Sequence, residues 1–339
     1  MANLSRDDRG QILLIAAFAL AVIFVAMALI VNSAIFTENL ATRGETAGSE
    51  GALSMRADVT ENVGEGIEAA NRNNNSSQSD LTGAVEASVR QLSQQTGRQS
   101  ARSGRVVNVA YQSGSQKEGA RIYRANDSSF TNAAGDERYQ LVGNVSRVDD
   151  ANGTRAFVIE ASTITADASD PFEIRVQDSA ASGDENSWRA RIWDAGGDTV
   201  HVRTLKNDSG TTVVEDCEVT RDSPGTGITI DVTGGTIDGE ECDALRTAPS
   251  GENFHFGAGT GVTPGTDDSY DISFDKADGI TGTFSLVVYD GGDLELLPDA
   301  SDGPKSSTAL YDVTVEYTYL TTDLRYETDV RVAPGEPDV

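Results

Sequence analysis

Residues 12–31 read ILLIAAFALAVIFVAMALIV, twenty consecutive residues without a polar side chain. At a rise of about 1.5 Å per residue, a helix of about 20 residues spans a bilayer core of about 30 Å. No other stretch of the chain has this character, because the remaining sequence is acidic, polar and rich in turn-forming residues. The stretch predicts a single transmembrane helix within residues 11–36, followed by a large domain outside the membrane.

The flanking charges predict the orientation of this helix. Arg6 and Arg9 lie before the apolar run, and the next basic residue is Arg43. Because positive charge stays on the cytoplasmic side, we expect a single-pass protein of the cell membrane with a cytoplasmic N-terminus and an extracellular C-terminal domain. A cleaved secretory signal is the alternative, but its apolar region is usually about 7–15 residues long and ends at a small-residue cleavage site.

The residues directly before the apolar run carry a second signal. Arg9 and Gly10 end a charged leader of residues 1–10, and Gln11 opens the uninterrupted apolar segment. This arrangement resembles the class III leader of archaeal type IV pilin-like proteins and archaellins. In that family a prepilin-type peptidase cuts after the glycine, and the apolar helix later enters a filament. The resemblance implies that Gln11 becomes the mature N-terminus.

Two features depart from the pilin pattern. Bacterial pilins usually carry a glutamate at the fifth mature position, where this chain has Ile15, although archaeal relatives often lack it. The length of 339 residues also exceeds that of a typical major pilin. The layout as a whole, including VRVAPGEP at residues 330–337, is similar to haloarchaeal single-anchor proteins of uncharacterised activity. The implied partners are membrane lipid around residues 12–31 and a homo- or hetero-oligomer or filament formed through the N-terminal helix.

The formal net charge is −28, from 54 acidic and 26 basic residues. Within residues 1–36 the acidic and basic residues cancel, so the whole excess lies on residues 37–339. Such a surface repels nucleic acid, which excludes a nucleic-acid partner. An acid-rich, lysine-poor surface is typical of a protein that works in high salt, where screening removes the self-repulsion. An ordinary acidic surface protein is the alternative.

Two helices are expected between the anchor and the main domain. Val59, Val63 and Ile67 recur at helical spacing, and a second stripe consists of Leu81, Val85, Val89 and Leu92. A polar break, NRNNNSSQS, lies between them, and Ser79 and Asp80 can cap the second helix. We predict a helical stalk or pair over residues 37–103. It forms either a spine with a hinge or a layer packed on the following domain.

After residue 104 the apolar pattern changes to period two. Short runs rich in β-branched and aromatic residues are separated by clusters of Gly, Asp, Asn and Pro, which predicts antiparallel strands. These runs are residues 105–111, 139–145, 155–161, 172–176, 188–193, 199–205, 211–214, 227–232, 270–274, 282–289, 309–320 and 323–333. The last two read as a hairpin with one buried and one solvent-exposed face.

The predicted fold class is therefore α+β. A transmembrane helix and a helical stalk or hairpin precede a mostly antiparallel, β-sandwich-like ectodomain over residues 104–339. A boundary between two subdomains near residues 183–186 or 249–265 is an open alternative.

Cys217 and Cys242 are the only cysteines, and an extracellular segment favours their oxidation to a disulfide. The intervening run of residues 225–232 can return as an antiparallel partner of the strand that precedes Cys217. Two separate buried thiols are the alternative. The extracellular assignment also makes asparagines in N-x-S/T sequences candidates for glycosylation. They are Asn74, Asn126, Asn144, Asn152 and Asn207. Asn75 also fits the pattern, but adjacent Asn74 and Asn75 would rarely both be modified.

Few residues indicate chemistry. The chain contains no common hydrolase, metalloprotease or nucleotide-binding motif, and its two histidines, His201 and His255, are expected to be structural. Two aspartate clusters supply the oxygen ligands that calcium prefers, without the order of an EF-hand. They are Asp267, Asp268, Asp271 and Asp275, and, as the favoured candidate, Asp290, Asp293, Asp299 and Asp302.

We therefore expect no enzyme, no catalytic residues and no cofactor other than calcium. The preferred interpretation is a pilin-like surface subunit with structural or interaction functions. The alternatives are an anchored receptor or adhesin that does not assemble and, last, an anchored surface hydrolase.

Overall fold

The computed structural model describes Met27 and residues 49–146, 153–183, 185–207, 211–221, 227–246, 269–298 and 302–336. The leader and nearly all of the apolar run lie outside these ranges. Among the described helices, none is long and apolar enough to cross a membrane. The prediction of a transmembrane helix within residues 11–36 thus falls on residues that the structure does not describe.

The described strands form two sheets, and every pair of neighbouring strands is antiparallel. The larger sheet has the order β1 (Val106–Tyr111), β15 (Lys305–Leu320), β2 (Lys117–Ser129), β13 (Ile280–Tyr289), β4 (Thr154–Ile164), β9 (Ile228–Asp231), β10 (Thr236–Ile237) and β11 (Glu240–Glu241), with β16 (Arg325–Val332) paired to β15. The smaller sheet has the order β14 (Glu295–Leu296), β3 (Tyr139–Ser146), β12 (Ser269–Asp275), β5 (Phe172–Asp178), β6 (Ser187–Gly196), β7 (Thr199–Asn207) and β8 (Thr211–Thr220).

The main core lies between the inner faces of the two sheets. It includes Phe157 and Leu286 from the larger sheet and Ile174 and Trp188 from the smaller one, all fully buried. Phe130 packs against aromatic rings from both sheets, with ring centroids 4.9–5.9 Å apart. Because aromatic side chains bury large apolar areas, this cluster is a main source of cohesion between the sheets. The predicted mostly antiparallel, β-rich α+β fold is confirmed.

A second core lies between helices and the edge of the larger sheet. Helix α1, described over residues 49–73, and helix α2 (Gln78–Ala101) bury the predicted stripes, including Val63 and Val85, against β1, β15 and β16. The outer half of β15 makes this possible because it extends beyond β2 and pairs there with β1 and β16. The two helices therefore form a layer on the sheet.

Two local predictions need correction. The N-cap of α2 is Ser77, whose hydroxyl accepts a hydrogen bond from the backbone N–H of Asp80 at 3.2 Å, so the helix begins before Ser79. The described part of the run of residues 225–232, residues 227–232, does not pair with β8. Its strand, β9, pairs with β4 and β10 in the other sheet, because Ile228 and Ile230 belong to the core of the sandwich.

The predicted terminal hairpin is present. β15 and β16 pair from Val313 opposite Val332 to Leu320 opposite Arg325. Alternate residues of β15 from Val313 to Tyr319 are buried under the helices, and the residues between them are more exposed. The remaining helical segments are short: α3 (Asp243–Arg246) and a 3₁₀ helix (Ala277–Gly279).

Candidate functional site: the joint between helix α1 and the sheets

A fully buried arginine connects four segments of the chain. The guanidinium of Arg155, in β4, donates to the carbonyl oxygens of Leu310 and Tyr311 at 2.8 and 2.6 Å. It also donates to the carbonyl oxygen of Pro334 and to Glu68 Oε1 of α1, both at 2.6 Å. We call this set of residues, with Asn71, Arg331 and Glu336, the joint.

An irregularity in β4 directs Arg155 towards the helices. Relative to β13, β4 has one extra residue between Arg155 and Val158. Ala156 within this bulge adopts a left-handed conformation with φ 50°, and its N–H donates to the carbonyl oxygen of Gly335 at 2.7 Å. A Cβ atom on Gly335, which has φ +71°, would lie 2.9 Å from Ala156. Only glycine therefore fits where the C-terminal segment crosses β4.

Helix α1 is held near both ends of its described part. Near its C-terminal end, the amide of buried Asn71 donates to the carbonyl oxygen of Leu310 at 3.0 Å and accepts from the Leu310 N–H at 2.8 Å. Near the other end, the hydroxyl of Tyr317 donates to the carbonyl oxygen of Ala52 at 3.0 Å. Burial raises the pKa of Tyr317 to about 12. The helix is thus fixed by polar contacts as well as by its apolar stripe.

The C-terminal segment closes the joint through ion pairs. Arg331 lies 2.6 Å from both Asp312 Oδ2 and Glu336 Oε2, and the Tyr311 hydroxyl donates to Glu336 at 2.9 Å. Burial opposes the charge on Arg331, but its hydrogen bonds and ion pairs with Glu336 and Asp312 raise its pKa above the ordinary value. Burial and the neighbouring Glu336 charge raise the pKa of Tyr311. Tyr311 and Arg331 therefore each keep one protonation state at neutral pH.

A groove of about 920 Å³ adjoins the joint. Side chains of α1 and α2 line it, among them Glu61, Glu65, Arg72 and Gln91, together with Pro334. Its described lining contains no histidine, cysteine or lysine. The described groups are suited to holding segments together through hydrogen bonds, and they show no nucleophile paired with a base.

The predicted disulfide is confirmed. Cys217 of β8 is bonded to Cys242, and their Cα atoms are 5.5 Å apart. Since β8 is an edge strand of the smaller sheet and Cys242 follows β11, the edge strand of the larger sheet, the bond ties the two sheets together at one side of the sandwich. It does not bridge two neighbouring strands of one sheet.

The aspartate clusters do not form a metal site in the described part of the chain. No group of three described His, Cys, Asp or Glu residues could hold a metal ion, so Asp290, Asp293 and Asp302 are not brought together in that way. Asp290 instead accepts from the Gly292 N–H within a turn. In the other cluster, Asp271 accepts from Asn144 and Ser179, and Asp275 pairs with Arg138. Asp267, Asp268 and Asp299 lie outside the described residues.

His201 has a structural environment. Its ring stacks on Trp193 with centroids 4.1 Å apart, and its Nδ1 lies 3.1 Å from Glu218. His255 lies outside the described residues, as do Arg9, Gly10 and Gln11 of the predicted processing site.

The glycosylation candidates differ in exposure. Asn74 is exposed in the turn between α1 and α2, and Asn126 is exposed at the end of β2. Asn144 and Asn207 are partly buried within strands, where Asn144 has φ 55°. Asn152 lies outside the described residues. Asn74 and Asn126 are therefore the more accessible described positions.

Sequence reasoning missed the joint, although one signal for it was present. The charge of Arg155 interrupts the period-two pattern of the apolar residues Phe157, Ile159 and Ala161. The bulge at Ala156 then places Arg155 on the other face of the sheet, opposite Val287. A charge there requires partners, but the sequence does not identify them. Glu68 and Pro334 lie 87 and 179 positions away from Arg155.

Comparison with known proteins gives one match. The profile of a family of unknown function, DUF7261, matches residues 6–138, less than half of the chain. The matched range ends just before β3 and so includes α2, β1 and β2. No curated protein and no solved structure matches the chain. The fold and the joint thus define a β-sandwich protein with a helical layer fixed on the edge of one sheet.

Proposed function

We propose that this protein is a membrane-anchored extracellular structural or interaction protein, a pilin-like surface subunit whose β-rich head is mounted on helix α1. The apolar run of residues 12–31 and the Arg9-Gly10-Gln11 sequence support the anchor and its processing. The net charge of −28 supports a surface that does not bind nucleic acid.

The fixation of α1 is the observation that carries this proposal. The described part of α1 begins 18 positions after the end of the apolar run and is held from Ala52 to Asn71. A head held this way takes its orientation from the helix, and a pull along α1 is transmitted through Arg155 to β4 and β15 of the larger sheet. This is the mechanical arrangement that a displayed or assembled surface protein needs.

An anchored receptor or adhesin that does not assemble is the second candidate. A polar cavity lined by a buried cation, Arg124, that has no carboxylate partner among the described residues favours it and is considered in the next subsection. Both candidates share the anchor and the orientation, so processing of the leader separates them.

The test is the intact mass of the protein extracted from native membranes. We expect a mature chain that begins at Gln11, and a Gly10→Leu variant that keeps residues 1–10 and is absent from any filament fraction. A wild-type chain with residues 1–10 attached would contradict the pilin-like proposal and favour the receptor. External protease that leaves the head intact on whole cells, while it digests the head in broken cells, would contradict the extracellular orientation.

A further inference from the structure

Arg124 differs from the other buried arginines of the described chain. Arg155, Arg175 and Arg189 each have a carboxylate within 4.0 Å. Arg124, at 6% exposure, contacts only neutral oxygens: the hydroxyl of Ser128 and the carbonyl oxygens of Thr131 and Asp302. Its Nε–H, one of five guanidinium donors, has no acceptor.

A buried charge without an opposite charge nearby has a high free-energy cost. In this chain it is also unexpected from the amino-acid composition. Removing a guanidinium from water costs several kcal/mol unless an opposite charge compensates for it. The chain carries about two acidic residues for each basic one, so a carboxylate partner would have been easy to supply. Desolvation accordingly lowers the pKa of Arg124. Among the described residues, therefore, no anion compensates the charge of Arg124.

Arg124 lines a cavity of about 450 Å³ that has a second cation at its rim. Lys305, one of only four lysines, lies opposite Tyr123 across the β2–β15 pair and is exposed. No described carboxylate lies within 4.0 Å of Lys305 or Arg124. Asp302 is the one acidic residue in the described lining, and the oxygen it offers Arg124 is its carbonyl.

The remaining walls are suited to a polyhydroxylated ligand. Besides the two cations, the described lining presents the hydroxyls of Tyr123, Ser128, Ser129 and Thr131 and the amide of Asn126. A planar guanidinium matches the paired oxygens of a carboxylate or sulfate. The volume lies in the range of pockets that hold small organic ligands and is far more than a bare oxyanion fills.

We infer that this cavity is a binding site for an acidic saccharide unit, a sugar that carries a carboxylate or sulfate. The anionic group pairs with Arg124, Lys305 at the rim adds positive charge nearby, and the sugar hydroxyls bond to the hydroxyl and amide groups of the wall. The inference is independent of the anchor and of filament assembly, because its residues lie in the sandwich.

The test is calorimetric titration of the full-length protein in detergent at constant ionic strength, made without glycosylation. Glucuronate and glucose differ mainly in one carboxylate. We expect the wild type to bind glucuronate at least tenfold more tightly than glucose. Arg124→Met should remove most of this preference and Lys305→Met part of it, whereas Arg98→Met, which deletes an exposed cation on α2, should keep it.

Each outcome decides part of the assignment. Equal affinity for glucose and glucuronate would overturn the anionic specificity, and equal affinity for sulfate and glucuronate would overturn the saccharide. Because Lys305 is exposed, the Lys305→Met variant tests the site even if Arg124→Met does not fold. If Lys305→Met kept the full preference for glucuronate over glucose, Lys305 would have no part in binding the anion.

The acidic saccharide could also belong to a glycan attached to Asn126, which lines the cavity. Native glycosylated protein that binds glucuronate as well as the unmodified protein does would support a free ligand. Binding by the unmodified protein alone would support the chain's own glycan as the occupant.

Discussion

Arg155 shows how a charge is accommodated in the interior of this protein. Its side chain has no exposed surface, yet each of its described hydrogen bonds ends on an oxygen: three backbone carbonyls and one carboxylate. Replacing a satisfied buried ion pair by apolar residues can be neutral, whereas removing one partner leaves the other uncompensated. The cost of changing Arg155 therefore comes mainly from what it leaves behind.

We predict that Arg155→Met lowers the free energy of unfolding by about 3–5 kcal/mol. The carbonyl oxygens of Tyr311 and Pro334 lose this donor, while Leu310 keeps only Asn71 and Glu68 keeps only Arg72 among the described partners. Denaturant unfolding of the full-length protein in molar salt measures it. The matched control is Arg325→Met, since that side chain is 74% exposed and the change should stay within about 0.5 kcal/mol. Similar losses in the two variants would show that the joint is not stabilising.

The raised pKa of Tyr317 lets us predict how the free energy of unfolding changes at alkaline pH. Burial raises its pKa in the folded state to about 12, above the ordinary value near 10. The unfolded chain therefore loses this proton first, so the contribution of Tyr317 is fully present below pH 10 and is lost as the pH rises towards 12. Unfolding measured across this window should show falling stability, with a shallower decline in Tyr317→Phe. An identical decline in that variant would exclude Tyr317 as a source.

Strand β2 shows why some strands could not be predicted from the sequence. Most long strands were predicted from period-two apolar patterns, but Lys117–Ser129 was not, although it lies centrally between β15 and β13. Only Ala120 and Ile122 of this strand join the main core, while Arg121 and Tyr123 lie on the outer face. Residues 125–127 bulge away from β13. Its place depends on partners that follow it by more than 150 positions, which no local pattern encodes.

The candidate sites also differ in whether the sequence could predict them. The cysteine pairing was predictable because the chain has only two thiols and an expected oxidising location. The joint and the saccharide cavity were not predictable, because each depends on one cation meeting distant oxygens. For Arg124 the informative feature is the lack of a carboxylate partner among the described residues, which no sequence pattern reveals.

The disulfide should stabilise the edges of the two sheets. Cys217 and Cys242 are 25 positions apart, and closing a loop of this size stabilises a fold by about 3–4 kcal/mol through the unfolded chain. We predict that the Cys217→Ser, Cys242→Ser double variant loses about this amount of unfolding free energy. The loss should match that of reduced wild type, and the oxidised wild type should show no free thiol. Two free thiols in protein matured outside the cell would contradict the bond.

The acidic excess of the chain is also seen where β15 pairs with β16. Glu316 of β15 lies directly opposite Asp329 of β16, and both are exposed on the face turned away from the helices. Like charges in such a pair destabilise a sheet. A fold that keeps this pair within a net charge of −28 is suited to surroundings that screen it.

We therefore predict that the full-length protein gains stability as KCl is raised to molar concentration. The Debye length falls from about 30 Å at 0.01 M to about 3 Å at 1 M, so repulsion between carboxylates is removed progressively. Glu316→Gln should stabilise the protein by about 0.2–1 kcal/mol at low salt, and the gain should shrink at molar salt. Arg325→Gln is the control of opposite sign, since it removes a cation from the same face and should destabilise at low salt only. If the gain from Glu316→Gln were equal at every salt concentration, its origin would not be charge repulsion, and the high-salt interpretation of the sequence would lose its structural support.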